Sequence, residues 1–358
     1  MNNKKIGIFT LHWAVNYGTV LQCYALNKAI SDLGYDVETL NYNPWGGGYS
    51  IKYFLKKRPS KSIRLIRTWK AMNSFYKKNI RLTEPIIGVQ AMKENPPIKD
   101  TYVVGSDIVW NRDIVEDYLD QFLLSFAPKG SNCISYAAST GGLQEIASCD
   151  KDVFKENLKR FSAVSVREKQ SIEPIQQLCD VPVTDVCDPT LLLSKEEWIS
   201  LEKKVRVPKH YIAVYDLNSS PLVKSVAYKL KEKTGFELVN VCCTREKWLD
   251  KNYWGLSPQE WLYVMHHADY VLPLSFHGVA FSLIFERPFL CSAILDSEGT
   301  ELGKNGRQKN LLSELGLLKQ YISTPDFSDS QLVVDYDEVK VKLNEYRKRS
   351  IEWLEKSL

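Results

Sequence analysis

The sequence predicts an α/β protein built as two Rossmann-like domains facing a cleft. Short apolar runs that read as buried strands alternate with segments long enough to hold helices, which implies a parallel, doubly wound sheet. That alternation stops at a charged connector and then restarts. The loops able to carry chemistry follow directly on apolar strands, where ligands bind in such sheets. With 358 residues, at roughly 100 to 200 residues per domain, the chain is long enough for two or three globular units. It is 44% hydrophobic and 25% charged, as expected of a folded soluble protein rather than a disordered one.

The first strand is the apolar run 6–11, followed by the loop His12-Trp13-Ala14-Val15-Asn16-Tyr17-Gly18. Residues 19–33 have helical spacing through Leu21, Tyr24, Ala25, Leu26, Ala29, Ile30 and Leu33, and Gly34 supplies a stop. Strands follow at 37–40, 102–104, 134–138 and 163–166. In the connector 194–209, Ser194 and Glu197 are spaced to cap a short helix. The pattern then resumes with strand 211–215, helix 221–233 and strand 236–243. Ser257 as N-cap, Pro258 at the first helical position and Glu260 completing a capping box start the next helix, which leads into strand 270–274. Residues 337–358 space Val339, Leu343, Tyr346, Trp353 and Leu354 as a helix able to pack back across a domain. The expected organisation is an N-terminal domain 1–193, a C-terminal domain 194–336, and a C-terminal helix 337–358.

Composition excludes several classes. The eight cysteines show no CxxC or finger-like spacing, so neither structural zinc nor a disulfide framework is expected. Neither a metal nor a cofactor is expected. Met1-Asn2-Asn3-Lys4-Lys5 leads into an apolar strand too short for a signal-peptide core, and no run approaches a membrane span. The expected location is cytoplasmic. A net charge of +4 does not call for a nucleic-acid partner. Its distribution is uneven: stretch 51–83 holds eleven Lys or Arg and no acidic residue, interleaved with Tyr53, Phe54, Trp69, Phe75 and Tyr76. Such a basic insertion suits either peripheral contact with the inner face of an anionic membrane or a solvated helix.

Four loops are candidates for chemistry. Leu274-Ser275-Phe276-His277-Gly278 follows a strand and precedes the apolar 279–285, which puts His277 at a helix N-terminus whose free amides attract phosphate or carboxylate. A packing histidine is the other reading. In the first half the loop from His12 to Gly18 takes the matching place; with one glycine it fails the dinucleotide fingerprint and suits a sugar or other polar ligand, or packing. Gly105-Ser106-Asp107 with Trp110-Asn111 closes a third strand, where Asp107 is either a base or a cap. Ser165-Val166-Arg167-Glu168 closes a fourth. Arg167 offers a planar fork for an anion, or pairs internally with Glu168 or Asp188.

Together these segments resemble the polysaccharide pyruvyltransferase family. The resemblance runs through Lys5-Ile6-Gly7-Ile8, Asn16-Tyr17-Gly18-Thr19-Val20-Leu21-Gln22, Val104-Gly105-Ser106-Asp107 with Val109-Trp110-Asn111, and Ile134-Ser135-Tyr136-Ala137-Ala138-Ser139. It continues through Ser165-Val166-Arg167-Glu168, Asp188-Pro189-Thr190-Leu191-Leu192 and Ser275-Phe276-His277-Gly278, in the expected order over about residues 5 to 320. It implies a fold similar to the GT-B glycosyltransferases and transfer of the enolpyruvyl skeleton of phosphoenolpyruvate onto two hydroxyls of a sugar, as a ketal. The family also has an arginine ahead of Leu-Leu-x-x-Leu-Gly-Leu, matched by Arg307 before Leu311-Leu312 and Leu315-Gly316-Leu317. Some members resemble Arg-Leu-His where this chain has Ser275-Phe276-His277, and Pro273-Leu274 stands where many relatives read Thr-Asp. A phosphate-binding arginine is therefore either absent or supplied elsewhere.

For such a transfer, with 1–193 as the acceptor side and 194–336 as the donor side, Arg167 and Arg307 are the expected binders of the donor's carboxylate or phosphate, His277 the expected general acid because imidazole titrates nearest neutral pH, and Asp107 or Glu168 the base. His12, Asn16, Tyr17, Gly18, Ser106, Trp110, Asn111, Ser275, Phe276 and Gly278 complete the expected substrate-binding set. The expected partners are phosphoenolpyruvate and a sugar acceptor, lipid-linked in one arrangement. A nucleotide-sugar glycosyltransferase on the same fold is the alternative, disfavoured because 270–285 contains no Asp or Glu. A non-catalytic, membrane-associated binding protein is a third.

Overall fold

The computed structural model of the protein describes residues 2–43 and 62–358. The described residues form two main parallel sheets and two small two-stranded ones. The first opens with β1 (Asn2–Phe9), α1 (Tyr17–Asp32) and β2 (Tyr35–Thr39), then α2 (Ser62–Asn79) and β3 (Thr101–Val104). It is completed by β4 (Asn132–Ala138), α3 (Ser148–Leu158), β5 (Phe161–Val166) and β6 (Val183–Asp185), in the spatial order β2-β1-β3-β4-β5-β6. Ile8 faces Val103, Val103 faces Ile134, and Ile134 faces Ala163 across the sheet. These residues supply the near-continuous apolar interior that a parallel sheet covered on both faces requires.

The second sheet contains β7 (Tyr211–Tyr215), α4 (Pro221–Thr234), β8 (Glu237–Asn240), β9 (Lys251–Asn252), α5 (Pro258–His266) and β10 (Tyr270–Pro273), with order β9-β8-β7-β10. After it come α6 (Phe276–Ile284), α7 (Gly306–Glu314) and α8 (Tyr336–Ser357). The Ser194 and Ser257 capping boxes are both formed. Two short strands of the main sheets escaped the sequence reading, as did the pairs 42–43, 86–87, 291–292 and 321–322. β6 has three residues and β9 is the polar pair Lys251–Asn252, so neither carries an apolar run.

Two helices start earlier than periodicity alone predicts, because polar caps rather than apolar spacing set their first turns. Asn16 accepts hydrogen bonds from the Gly18 and Thr19 amides, so α1 begins at Tyr17. Ser275 accepts from the Gly278 amide, so α6 begins at Phe276 and His277 lies inside its first turn.

The first turn of α1 packs onto the second sheet's helices. The Tyr17 ring stacks on Trp261 of α5 at 5.3 Å, and its hydroxyl donates to the Leu256 carbonyl at 3.0 Å. Trp261 in turn meets Phe281 of α6 edge-on, and Phe281 meets Trp198. One apolar cluster therefore runs through both halves. α8 returns to the first half: Ser350 Oγ accepts from the Cys187 amide, Arg347 Nε donates to the Leu191 carbonyl, and Lys4 Nζ donates to the Leu358 carbonyl.

Part of the basic insertion, 51–61, lies outside the described residues. The described remainder forms α2, whose Thr68, Met72, Phe75 and Tyr76 are buried. Phe75 meets Tyr24 of α1 edge-on at 5.6 Å, while Lys70, Lys77 and Lys78 face outward. The apolar side of α2 is occupied by the protein itself. Among the described residues, no helix is long and apolar enough to cross a membrane.

Candidate active site

The carboxyl ends of β3, β4 and β5 converge with the first turns of α1 and α6 on one buried cluster. Arg167, the residue after β5, is its centre. Its Nε donates to Glu168 Oε1 at 2.9 Å and its Nη1 to Asp188 Oδ2 at 3.0 Å, with Asp107 Oδ1 3.9 Å from Nη1. The guanidinium carbon sits 4.3 Å over the Phe276 ring, a stacked arrangement that lysine would not reproduce. Burial works against the charge of Arg167, but Glu168, Asp188 and Asp107 outweigh it and raise the guanidinium pKa. The internal pairing weighed for this arginine is thus formed. Nη2 is left buried without a hydrogen bond.

Asp188 is the most heavily contacted carboxylate. The Thr190 amide and hydroxyl both donate to Oδ1, at 3.0 and 2.7 Å. Oδ2 takes Arg167 and lies 3.5 Å from His277 Nε2, an ion-pair separation. Ser106 Oγ is 2.9 Å from the Ala137 carbonyl and 3.2 Å from Asp188 Oδ2, so its single proton is shared between them. Burial alone would raise this carboxyl, yet His277, Arg167 and the Thr190 amide hold it below the usual carboxylate range. Sequence reasoning gave Asp188 only the part of a possible Arg167 partner. The available signal was Asp188-Pro189-Thr190 after a strand, a pattern in which aspartate caps the turn that follows.

Asp107 has a φ of 77°, a region seldom used by residues other than glycine. Its Oδ2 accepts from Thr19 Oγ1 at 2.7 Å and its Oδ1 from the Ile108 amide. Gly105 before it has φ 112°, and a Cβ there would lie 2.3 Å from the Tyr136 carbonyl oxygen, so only glycine fits. Glu168 is fully buried; its Oε1 takes Arg167 and Ser139 Oγ, while Oε2 has no hydrogen-bond partner. Arg307, on α7, lies near enough to Arg167 for the two cations to oppose each other. Burial first, and then Arg167, lower its pKa, partly offset by Glu168 and Asp107.

His277, Asp107, Glu168, Arg167, Arg307, Ser106, Phe276 and Gly18 are therefore brought together. Gly278 and Ser275 act on the backbone of α6: a Cβ on Gly278 would meet Pro273 and Tyr215, and Ser275 is the cap. Asn16 is likewise a cap. The remaining expected residues turn elsewhere. His12 is buried against Trp13 and Tyr76, with Nε2 3.3 Å from Asn41 Oδ1, and burial lowers its pKa. Trp110 Nε1 donates to the Phe122 carbonyl, Asn111 Nδ2 to the Thr140 carbonyl, and the Tyr17 hydroxyl to Leu256. Apart from the cluster, Glu202, His266 and His267 bring ligand atoms within 4.8 Å of one another at the end of α5, the arrangement best able to hold a cation among the described residues.

The sequence pattern of the polysaccharide pyruvyl transferase family matches residues 16–296. The chain belongs to that family. No curated protein sequence matches it. Its fold is similar to that of the GT-B glycosyltransferases: it resembles the glycosyltransferase of kitacinnamycin with a TM-score of 0.51, 11% identity and all of both chains covered. It is also similar to the UDP-GlcNAc 2-epimerase of Methanocaldococcus jannaschii, with 8% identity, a TM-score of 0.48, and 95% of this chain and 91% of that one covered. For MurG of Acinetobacter baumannii the identity is 10%, the TM-score 0.44, and the coverage 99% and 94%.

Proposed function

We propose that the protein transfers the enolpyruvyl skeleton of phosphoenolpyruvate onto two hydroxyls of a sugar in a surface polysaccharide or its precursor, forming a pyruvate ketal. The observation that carries this reading is the buried juxtaposition of Arg167 and Arg307 with His277 and the carboxylates Asp107, Glu168 and Asp188. Two opposed arginines are favoured when an anion binds between them.

In this reading the donor's carboxylate and phosphate are held by Arg307, by the unpaired Nη2 of Arg167 and by the first turn of α6. His277, whose Nε2 lies 3.5 Å from Asp188 Oδ2, delivers a proton to the methylene carbon, which becomes a methyl group. A sugar hydroxyl bonds to the adjacent carbon and gives its proton to Glu168 or Asp107. Phosphate leaves with the electron pair of the C–O bond. The second hydroxyl then bonds to the same carbon, and its proton goes to the departing phosphate or the carboxylate. Phosphoenolpyruvate plus a diol gives a ketal plus phosphate.

The test is release of inorganic phosphate from phosphoenolpyruvate, measured with and without extracted polysaccharide precursors. Release that depends on the glycan supports the reading. Glycan modification only with a nucleotide sugar would move the function to glycosyl transfer.

A further inference from the structure

The connector that joins the two halves passes the end of α5, and one carboxylate and two imidazoles meet there. Glu202 follows the short helix Lys195–Ser200, while His266 and His267 are the last residue and the C-cap of α5. One ligand atom from each lies within 4.8 Å of the other two. We propose that these three side chains bind a divalent transition-metal ion of the zinc type, which pins the connector to α5. The inference does not depend on the proposed pyruvyl transfer.

Geometry is the first argument. Glu202 Oε1 lies 2.7 Å from His266 Nδ1, and Oε2 lies 4.0 Å from His267 Nδ1. In a tetrahedral zinc site with bonds of about 2.0–2.2 Å the ligand atoms stand about 3.3 Å apart, so each separation must change by less than about 1 Å. The rings are already held. His266 stacks on Phe285 with centroids 4.9 Å apart, His267 stacks on Tyr263 at 4.0 Å, and the two imidazoles meet edge-on at 4.6 Å. On binding, the proton of each ring moves to Nε2, which frees the Nδ1 lone pair for the ion. His267 Nδ1 exchanges its 2.9 Å contact with the Tyr263 carbonyl for the metal. Water fills the fourth position.

Charge is the second argument. The Glu202 side chain is only 9% exposed, and among the described residues its ion-pair partners are the two histidines, with no Lys or Arg. The neighbouring Lys203 turns to Glu260, at 3.1 Å. A nearly buried carboxylate of this kind is stabilised by a cation placed between it and the imidazoles, and the carboxyl end of α5 favours positive charge. Imidazole nitrogens select zinc, copper or nickel, whereas magnesium and calcium take oxygen ligands.

The position gives such an ion a structural consequence. The Lys203 amide already donates to the Gln259 carbonyl, so the connector runs along α5. Trp261 of the same helix carries Tyr17 of the first half. An ion at the end of α5 fastens the connector to the helix on which the two halves meet. Glu202 precedes His266 by 64 residues, a separation that no ligand spacing in the sequence would reveal.

Equilibrium dialysis of the reduced full chain against Zn²⁺, competed by a chromophoric chelator, tests the site. Glu202→Gln keeps the shape of the side chain, and His267 is exposed, so that variant and His267→Ala should both fold. The expected result is a single zinc ion per chain, bound roughly tenfold or more weakly in each variant. Co²⁺ in its place should give the visible bands of a tetrahedral nitrogen and oxygen site, without a thiolate-to-cobalt charge-transfer band. No zinc bound by the intact chain, undiminished affinity in either variant, or a thiolate band showing that cysteines hold the ion would overturn the proposal.

Discussion

The His277 ring fills the space beside Gly18: a Cβ on that glycine would lie 2.1 Å from Nδ1 and 2.3 Å from Cγ. A helix start from the first half and one from the second are thus in direct contact, and the candidate acid depends on the absence of a side chain across the cleft. Gly18→Ala should displace the imidazole from Asp188. Overpacking of this kind costs about 1–3 kcal/mol. The expected outcome is a folded protein with a lowered melting midpoint and turnover reduced far more than donor binding, measured by phosphate release beside a thermal scan.

His277 itself should be worth roughly 10²–10⁴ in rate if it supplies the proton. His277→Ala, folded and still stabilised by phosphoenolpyruvate, should show that loss in kcat with little change in donor affinity. Unchanged turnover would remove the role.

Asp188 governs the acid limb of stability. Its carboxyl is held below the usual range in the folded protein, so its stabilisation is present above the unfolded-state value of about 4 and is lost as pH falls through the lower folded value. Asp188→Asn should therefore destabilise the protein at pH 7, by about 3–5 kcal/mol if it behaves as a broken buried ion pair. The difference from the parent should shrink as pH falls below about 4. Urea titrations at several pH values check both statements.

Arg307 lies where burial and Arg167 act against its charge while Glu168 and Asp107 support it, so Arg307→Met should remove the stabilisation given by phosphoenolpyruvate, read as the difference in melting midpoint with and without the donor. Arg167→Ala is the harsher change. It leaves Glu168 and Asp188, which are fully or almost fully buried, without their cation, and should cost folding as well as binding.

Much of the architecture was legible because parallel sheets covered on both faces write themselves as apolar runs: 134–138, 163–166 and 211–215 all lie within strands. The capping boxes at Ser194 and Ser257 were legible for the same local reason. The short strands β6 and β9 were not, since three- and two-residue edges gain their pairing from neighbours rather than from their own pattern. At the site, Arg167, Glu168, Asp107 and His277 could be named from their loops. What no loop revealed is their partnership. Asp188 meets Arg167 and His277 only because β5, the Asp188 turn and α6 converge in space. The aromatic residues Tyr17 and Trp110 show the converse case. Polar tips on large rings fit binding and packing equally well in sequence, and here both tips donate to backbone carbonyls.

Thermal unfolding of the purified protein in the presence of phosphoenolpyruvate tests the central claim most directly, because a ligand that binds only the native state must raise the midpoint as its concentration exceeds its dissociation constant. The account predicts a concentration-dependent rise with phosphoenolpyruvate that is absent with nucleotide sugars and lost in Arg307→Met. A rise with nucleotide sugars alone, or an equal rise with phosphoenolpyruvate in Arg307→Met, would contradict it.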